Sequence, residues 1–332
     1  MEDKALINKT FKRNALIAEW LPFVSMILVV GLFGVLTHGD IFSKFNLKTI
    51  WNQCYLFIIG GLGMVFLFAQ GAVDLSAGSV IALASIYGAM AANSGGVIPC
   101  LIVCLLIGTA CGAITGGLYA KTDIPIFILG LSVSFLIRGV LYRITDGAAV
   151  ISIPVAMKQS FNPLWISIAV VIFLFIVVLY FFDYNTLGKH SRAIGAGPVA
   201  AEQSGVNVPM VKWTAFAISG LFAGIAAFMM VMKTGSGGPA AGTSFEFNVM
   251  IAMILGGMPS EGGAKSKIKA CFIGAVLISF YTNGMVMLNI DSRVAEIIKG
   301  VVFILVVVLT KRMQAATSSA KGKKTVKAEL KA

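Results

Sequence analysis

Charge is scarce in this sequence of 332 residues: only 12% are Asp, Glu, Lys or Arg. An average soluble domain carries about 25%, so a chain wetted on all sides is excluded. Histidine is nearly absent, with His38 and His190 alone, both outside the apolar runs. That removes a Ser–His dyad for hydrolysis inside a membrane, because no histidine can approach a buried serine such as Ser236. No HExxH run is present, so a zinc-hydrolase helix is excluded too. Cysteines number five, and Cys54, Cys100, Cys104, Cys111 and Cys271 all fall in or beside apolar runs, where disulfides are not expected. Cys100, Cys104 and Cys111 share a helical face, but no histidine or carboxylate accompanies them, so they read as small packing residues. The glycine-rich stretch 235–238 lacks the Gly-Lys-Ser/Thr ending that cradles a nucleotide's phosphates. The chain therefore encodes no energy-converting site and no cofactor site of its own, and is not expected to be an enzyme.

What is abundant is apolar: 58% of residues are hydrophobic, and mean hydropathy is +0.92. The apolar residues come in runs of about 20, the length that crosses a hydrocarbon layer about 30 Å thick. Ten spans are predicted, over 17–36, 51–70, 77–93, 98–120, 125–142, 164–182, 211–232, 245–256, 268–288 and 293–310. The fold class is an all-α polytopic membrane protein. A short N-terminal segment (1–16), one transmembrane domain (17–310) and a basic tail (311–332) divide the chain. The first span starts too late and runs too long for a cleaved signal peptide. The net charge of +12 would favour nucleic acid in a soluble protein. Here it follows topology. Eighteen Lys and Arg lie on the N-terminal side of the membrane and six on the other, which places both termini in the cytoplasm. The tail is expected to rest on anionic lipid, and nucleic acid is excluded as a partner.

Two spans are interrupted. The span at 51–70 runs into Gly71-Ala-Val-Asp-Leu-Ser-Ala-Gly-Ser79, and the span at 211–232 into 233–244, followed by a short apolar stretch from Phe245. Each break carries glycine, with an acid nearby, Asp74 or Glu246. If spans 2–5 and 7–10 are two inverted repeats, the breaks occupy matching places and point to a transport pathway. Asp74 and Ser76 can cap the helix that follows, or Asp74 can contact a polar solute directly. Glu246 lies about a turn from a span end and is expected to reach water. Arg138 has no local partner and is expected to reach outward. Glu296 and Lys299, three residues apart, read as a self-neutralising pair. Gly108, Gly112 and Gly116 form a face for close helix contact. The loop 183–212 contains Ala200-Ala201-Glu202-Gln203-Ser204-Gly205, a short helix ended by glycine, either a docking helix or an ordinary loop helix.

Several motifs, in order, resemble one family: the permease subunits of bacterial ATP-binding-cassette importers of the ribose/galactose/xylose class. Ala72-Val-Asp-Leu-Ser-Ala-Gly-Ser79 looks like the family's Gly-Ile-Asp-Leu-Ser-Val-Gly-Ser. Ala193-Ile194-Gly195, Ala200-Ala201 and Ser204-Gly205-Val206-Asn207-Val208 are similar to its cytoplasmic motif. Gly256-Gly257, Gly262-Gly263, Asn283-Gly284 and Lys299-Gly300 fall where relatives carry such pairs. The resemblance implies a bacterial inner-membrane importer of a monosaccharide. Two permease copies would line the path, an extracytoplasmic binding protein would deliver solute, and ATPase subunits would bind ATP and Mg. It implies a pathway near Asp74, Ser76, Ser79, Glu246 and Asn283. It also implies ATPase coupling through Gly195, Ala200, Ala201, Glu202, Ser204 and Gly205. A nucleoside or small signalling sugar is the alternative cargo, and an ion-coupled secondary transporter the alternative class. Val199 stands where many relatives carry Glu, Ala196-Gly197 replaces Gly-Asn, and Ala264-Lys265 replaces Arg-Gly, which bears on the ATPase contact rather than on the fold.

Overall fold

A computed structural model describes residues 20 and 22–308 other than 123, 147, 148, 162 and 306. The N-terminal segment, the start of the first span and the basic tail lie outside the described residues.

The helices run α1 (Pro22–Leu36), α2 (Lys44–Ala69), α3 (Ala77–Gly95), α4 (Val97–Lys121), α5 (Ile126–Ile144), α6 (Val155–Ser160) and α7 (Leu164–Leu179). They continue as α8 (Thr186–Ala196), α9 (Pro198–Gln203), α10 (Val208–Thr234), α11 (Phe245–Leu255), α12 (Lys269–Met287) and α13 (292–305). Each of the ten expected spans has a helical counterpart. Seven described helices are long and apolar enough to cross a membrane. α11 is not among them: its 11 residues rise only about 16 Å. α2 begins at Lys44, seven residues earlier than expected, because Ser43 caps it by accepting a hydrogen bond from the Asn46 N–H (3.4 Å).

The two most apolar spans are among the least buried, although α10 is both apolar and central. The most apolar span, Leu164–Tyr184, has mean hydropathy 3.0 and is 22% buried, whereas Ala77–Gly95, at 1.2, is 67% buried. Lipid is as apolar as leucine, so large aliphatic side chains gain nothing by turning inward, and small residues that let backbones approach take the centre. Thus α2, α3, α10 and α12 form the core, and α4, α5 and α7 surround it. The glycine face of α4 does what its spacing predicts. A Cβ on Gly108 or Gly112 would strike the backbone of Gly220 on α10, and one on Gly224 the backbone of Cys104 and Leu105. Cys100 and Cys104 fill the space over Gly88, consistent with their reading as packing residues.

The contacts pair the two halves reciprocally. The first helix of each half packs on the third of the other, α2 on α12 and α10 on α4, and α2 meets α10 across the middle. This is the arrangement an inverted repeat requires. At one end, Ile151–Ser152 (β1) and Ser236–Gly237 (β2) form a two-residue antiparallel ladder, and Lys158 of α6 donates to the Thr234 carbonyl (3.2 Å).

Candidate functional site

Both breaks meet in the core. α2 ends at Ala69, and Gly71 follows at φ +75, where an added Cβ would also press on the Glu261 carbonyl (2.9 Å). Asp74 is 2% exposed. Its Oδ1 accepts from the Ser76 N–H (2.9 Å) and the Ser76 hydroxyl (2.6 Å), and its Oδ2 accepts from the Ser219 hydroxyl of α10 (2.8 Å). Asp74 thus holds the residue that begins α3 and ties it to the opposite half. The Ser76 side chain does not cap α3; it donates to Asp74 instead. Ser79 donates to the Ser76 carbonyl (2.7 Å).

Glu246 is buried, at 5% exposed, and does not reach water as expected from its place near a span end. The reason is the short α11, which starts inside the core. A Cβ on Gly78 would land on Glu246 Oε2 and on the Gly242 carbonyl, so the opening turn of α3 lies directly against the second break. Arg138 also departs from expectation. It turns inward, donating through its two terminal nitrogens to the Pro239 and Gly242 carbonyls (3.4 Å each). Partners about 100 residues away made Arg138 invisible as a site residue in the sequence. Asp74, Ser76, Ser79 and Glu246 are therefore brought together. Asn283 stands apart on α12, its Oδ1 buried without a hydrogen-bond partner.

The second set of expected residues lies between α7 and α10. The segment holds two helices rather than one. Asn185 Oδ1 caps α8 by accepting from the Leu187 N–H (3.1 Å), and Arg192 pairs with Asp183 while stacking over Phe182 (4.1 Å). α9 starts on Pro198, whose missing N–H costs nothing at that position. Gly205 ends it at φ +83, where the Gly205 N–H meets the Glu202 carbonyl (2.9 Å) and the Val206 N–H the Ala201 carbonyl (3.1 Å).

Two residues of this set face inward. Ala201 is 5% exposed among Ile194, Val208 and Val211, so it anchors α9 rather than presenting a docking surface. Gly195 packs on the Ala69 carbonyl at the end of α2, which also accepts from the Gly263 N–H (2.9 Å). Ala200, Glu202, Ser204 and Gly205 are exposed, and so is Val199, at 66%. α8 thereby connects this exposed helix to the end of α2, where Gln70 Nε2 donates to the Ser191 hydroxyl (3.3 Å), four residues before Asp74.

A third polar group joins α11 to α13. Lys299 donates to Glu296 (2.6 Å), as their spacing predicts, and also to Asn248 Oδ1 (2.8 Å). Among the described residues no cluster of His, Cys, Asp and Glu could hold a metal ion.

A multi-helix membrane protein with two interrupted, reciprocally packed halves and a small exposed helix is a transport permease by class. The model of the family described as branched-chain amino acid transport system / permease component matches residues 46–307, and the chain belongs to that family. It is similar to the ribose import permease protein of Haemophilus influenzae, 31% identical over 90% of this chain and 94% of that one. The ribose import permease protein of Escherichia coli (strain K12) is 28% identical, over 95% of this chain and all of that one. The autoinducer 2 import system permease protein of Photorhabdus luminescens is 26% identical, over 90% of this chain and 91% of its own. No solved structure matches the chain. The resemblance carried by the motifs, to permeases of ATP-binding-cassette sugar importers, is thus shown.

Proposed function

We propose that this chain forms the translocation pathway of an ATP-driven importer for a monosaccharide, delivered by an extracytoplasmic binding protein. In this reading two permease copies line the path, as a homodimer or a related heterodimer. The Lys and Arg excess supports a cytoplasmic side for α8, α9 and both termini, and in this reading α9 is seated in an ATPase subunit that binds ATP and Mg. The observation that carries the reading is α9 itself. A six-residue helix, anchored by buried Ala201 and exposing Val199, follows directly on α8, whose Gly195 packs on the end of α2. Movement of an ATPase against it would be delivered to the break at Asp74. The likeness to ribose import permeases supports a pentose as cargo, and the autoinducer 2 relative supports a small signalling sugar as the second reading.

The chain alone should be inert. Proteoliposomes holding only this subunit, under an imposed proton or sodium gradient, should accumulate no ribose, whereas adding the ATPase, the loaded binding protein and ATP should give concentrative uptake. Accumulation by the lone chain would reject the proposal in favour of an ion-coupled transporter.

A further inference from the structure

α13 presents an apolar outer face: Val294, Ile297, Val301, Ile304 and Leu305 are all exposed. Glu296 interrupts it. Its side chain is 58% exposed, yet one carboxylate oxygen is held by Lys299, whose side chain is 6% exposed. Lys299 is in turn fixed by Asn248 of α11. Glu296 lies about 6 Å along the helix from residue 292. A charged carboxylate directed into hydrocarbon is unfavourable, and such residues face a polar cavity or a partner. A lone surface glutamate would need no buried ammonium and no amide from a second helix to aim it. The surroundings are those of a polar site: a carboxylate with acceptor capacity to spare, oriented by a buried cation, beside apolar side chains. A carboxylate of this kind accepts hydrogen bonds from adjacent hydroxyl groups, and the flanking Ile297 supplies an apolar surface for a ring face.

We infer that Glu296, oriented by Lys299 and Asn248, is a hydroxyl-binding site on the wall of the solute path and takes a polyhydroxylated solute. This rests on the reading of the chain as an importer permease with its path beside this face. The central carboxylates Asp74 and Glu246, by contrast, are enclosed within one chain. Lys299 and Asn248 are positioning residues, and Glu296 makes the contact.

The test uses the complex of permease, ATPase and binding protein in proteoliposomes, with Cys111 replaced by Ala and the four buried cysteines kept. Glu296→Cys and, at the same depth on the lipid-like face of α7, Ile168→Cys, four residues from that helix's start as Glu296 is from its own, are treated with a membrane-impermeant thiol reagent; the native Ile168 side chain is 42% exposed. Labelling of Glu296→Cys at about ten times the rate of Ile168→Cys is expected, as at equal depth water reaches one and not the other. Ribose uptake should fall about tenfold in Glu296→Leu and about threefold in Glu296→Gln, which keeps a hydrogen-bonding group. Equal labelling of the two cysteines would overturn the inference, as would wild-type uptake by Glu296→Leu. Dissociation of two permease copies by Glu296→Gln would overturn it too, by assigning the carboxylate to a contact between copies. A wild-type complex that carries no ribose would defeat the pentose reading alone, because the labelling ratio decides the path wall without any solute.

Discussion

Asp74→Leu is expected to destabilise the folded permease by on the order of 3–5 kcal/mol. Three donors lose their acceptor at once: the Ser76 N–H, the Ser76 hydroxyl and the Ser219 hydroxyl. A hydrogen bond to a charged group contributes about 1.5–3 kcal/mol, and a buried donor left unpaired costs about 1–3 kcal/mol. The three are coupled through one carboxylate, so the total falls below their sum. Water cannot substitute, because Asp74, Ser76 and Ser219 are all buried. Asp74→Asn should cost less than about 1.5 kcal/mol. Its Oδ1 still accepts from Ser76, and its amide can donate to the Ser219 oxygen. Thermal unfolding in detergent measures both. A loss for Asn nearly as large as that for Leu would show that charge, not hydrogen bonding, holds the break.

The second large effect is expected at the α4–α10 crossing. Gly220→Leu should leave little folded protein, since even a Cβ there would meet the Gly108 carbonyl and the Gly112 Cα (2.7 Å). Overpacking by one or two carbons typically costs about 1–3 kcal/mol, and four carbons against the backbone of α4 exceed that range. Gly117→Leu, on the same helix as Gly112, is the control. Its nearest neighbour to a Cβ is the Trp213 ring at 3.7 Å, ordinary contact distance, so a change within about 1 kcal/mol is expected. Comparable unfolding temperatures for the two variants would contradict the contact between these helices.

Much of this fold was legible because a bilayer imposes one length and one polarity on every span. The ten spans, the two interruptions and the glycine face of α4 each follow from a local pattern. Asp74 was legible in part: it was read as accepting from the N–H groups that open α3, whereas it accepts from Ser76, two residues away and just before that helix. Its other partner, Ser219, was not, because a serine within an apolar helix carries no sign of what it faces. Glu246 was misread because it was judged by its distance to a span end, and the short α11 places that end inside the core rather than at the water. Arg138 was misread because its partners, the Pro239 and Gly242 carbonyls, lie about 100 residues away in the chain. Ala201 was misread as a docking residue because a small side chain fits equally well on a contact surface or in a close-packed corner. Only the burial of Ile194 and Val211 around it decides which. The additional helix between α7 and α10, α8, was hidden by mixed polarity, and its cap at Asn185 was the one local signal available.

The central claim, that α9 couples this permease to an ATPase, is tested most directly by ATP hydrolysis in the reconstituted complex as solute-loaded binding protein is added. Val199→Asp places a charge where an apolar side chain is 66% exposed, and leaves the buried anchor Ala201 untouched. A charge forced into the centre of a docked apolar contact costs about 2 kcal/mol or more. Stimulated hydrolysis should therefore fall about tenfold or further, with the unfolding temperature of the isolated permease unchanged. Stimulation at the wild-type level, in a complex assembled with Val199→Asp, would contradict the coupling role of α9.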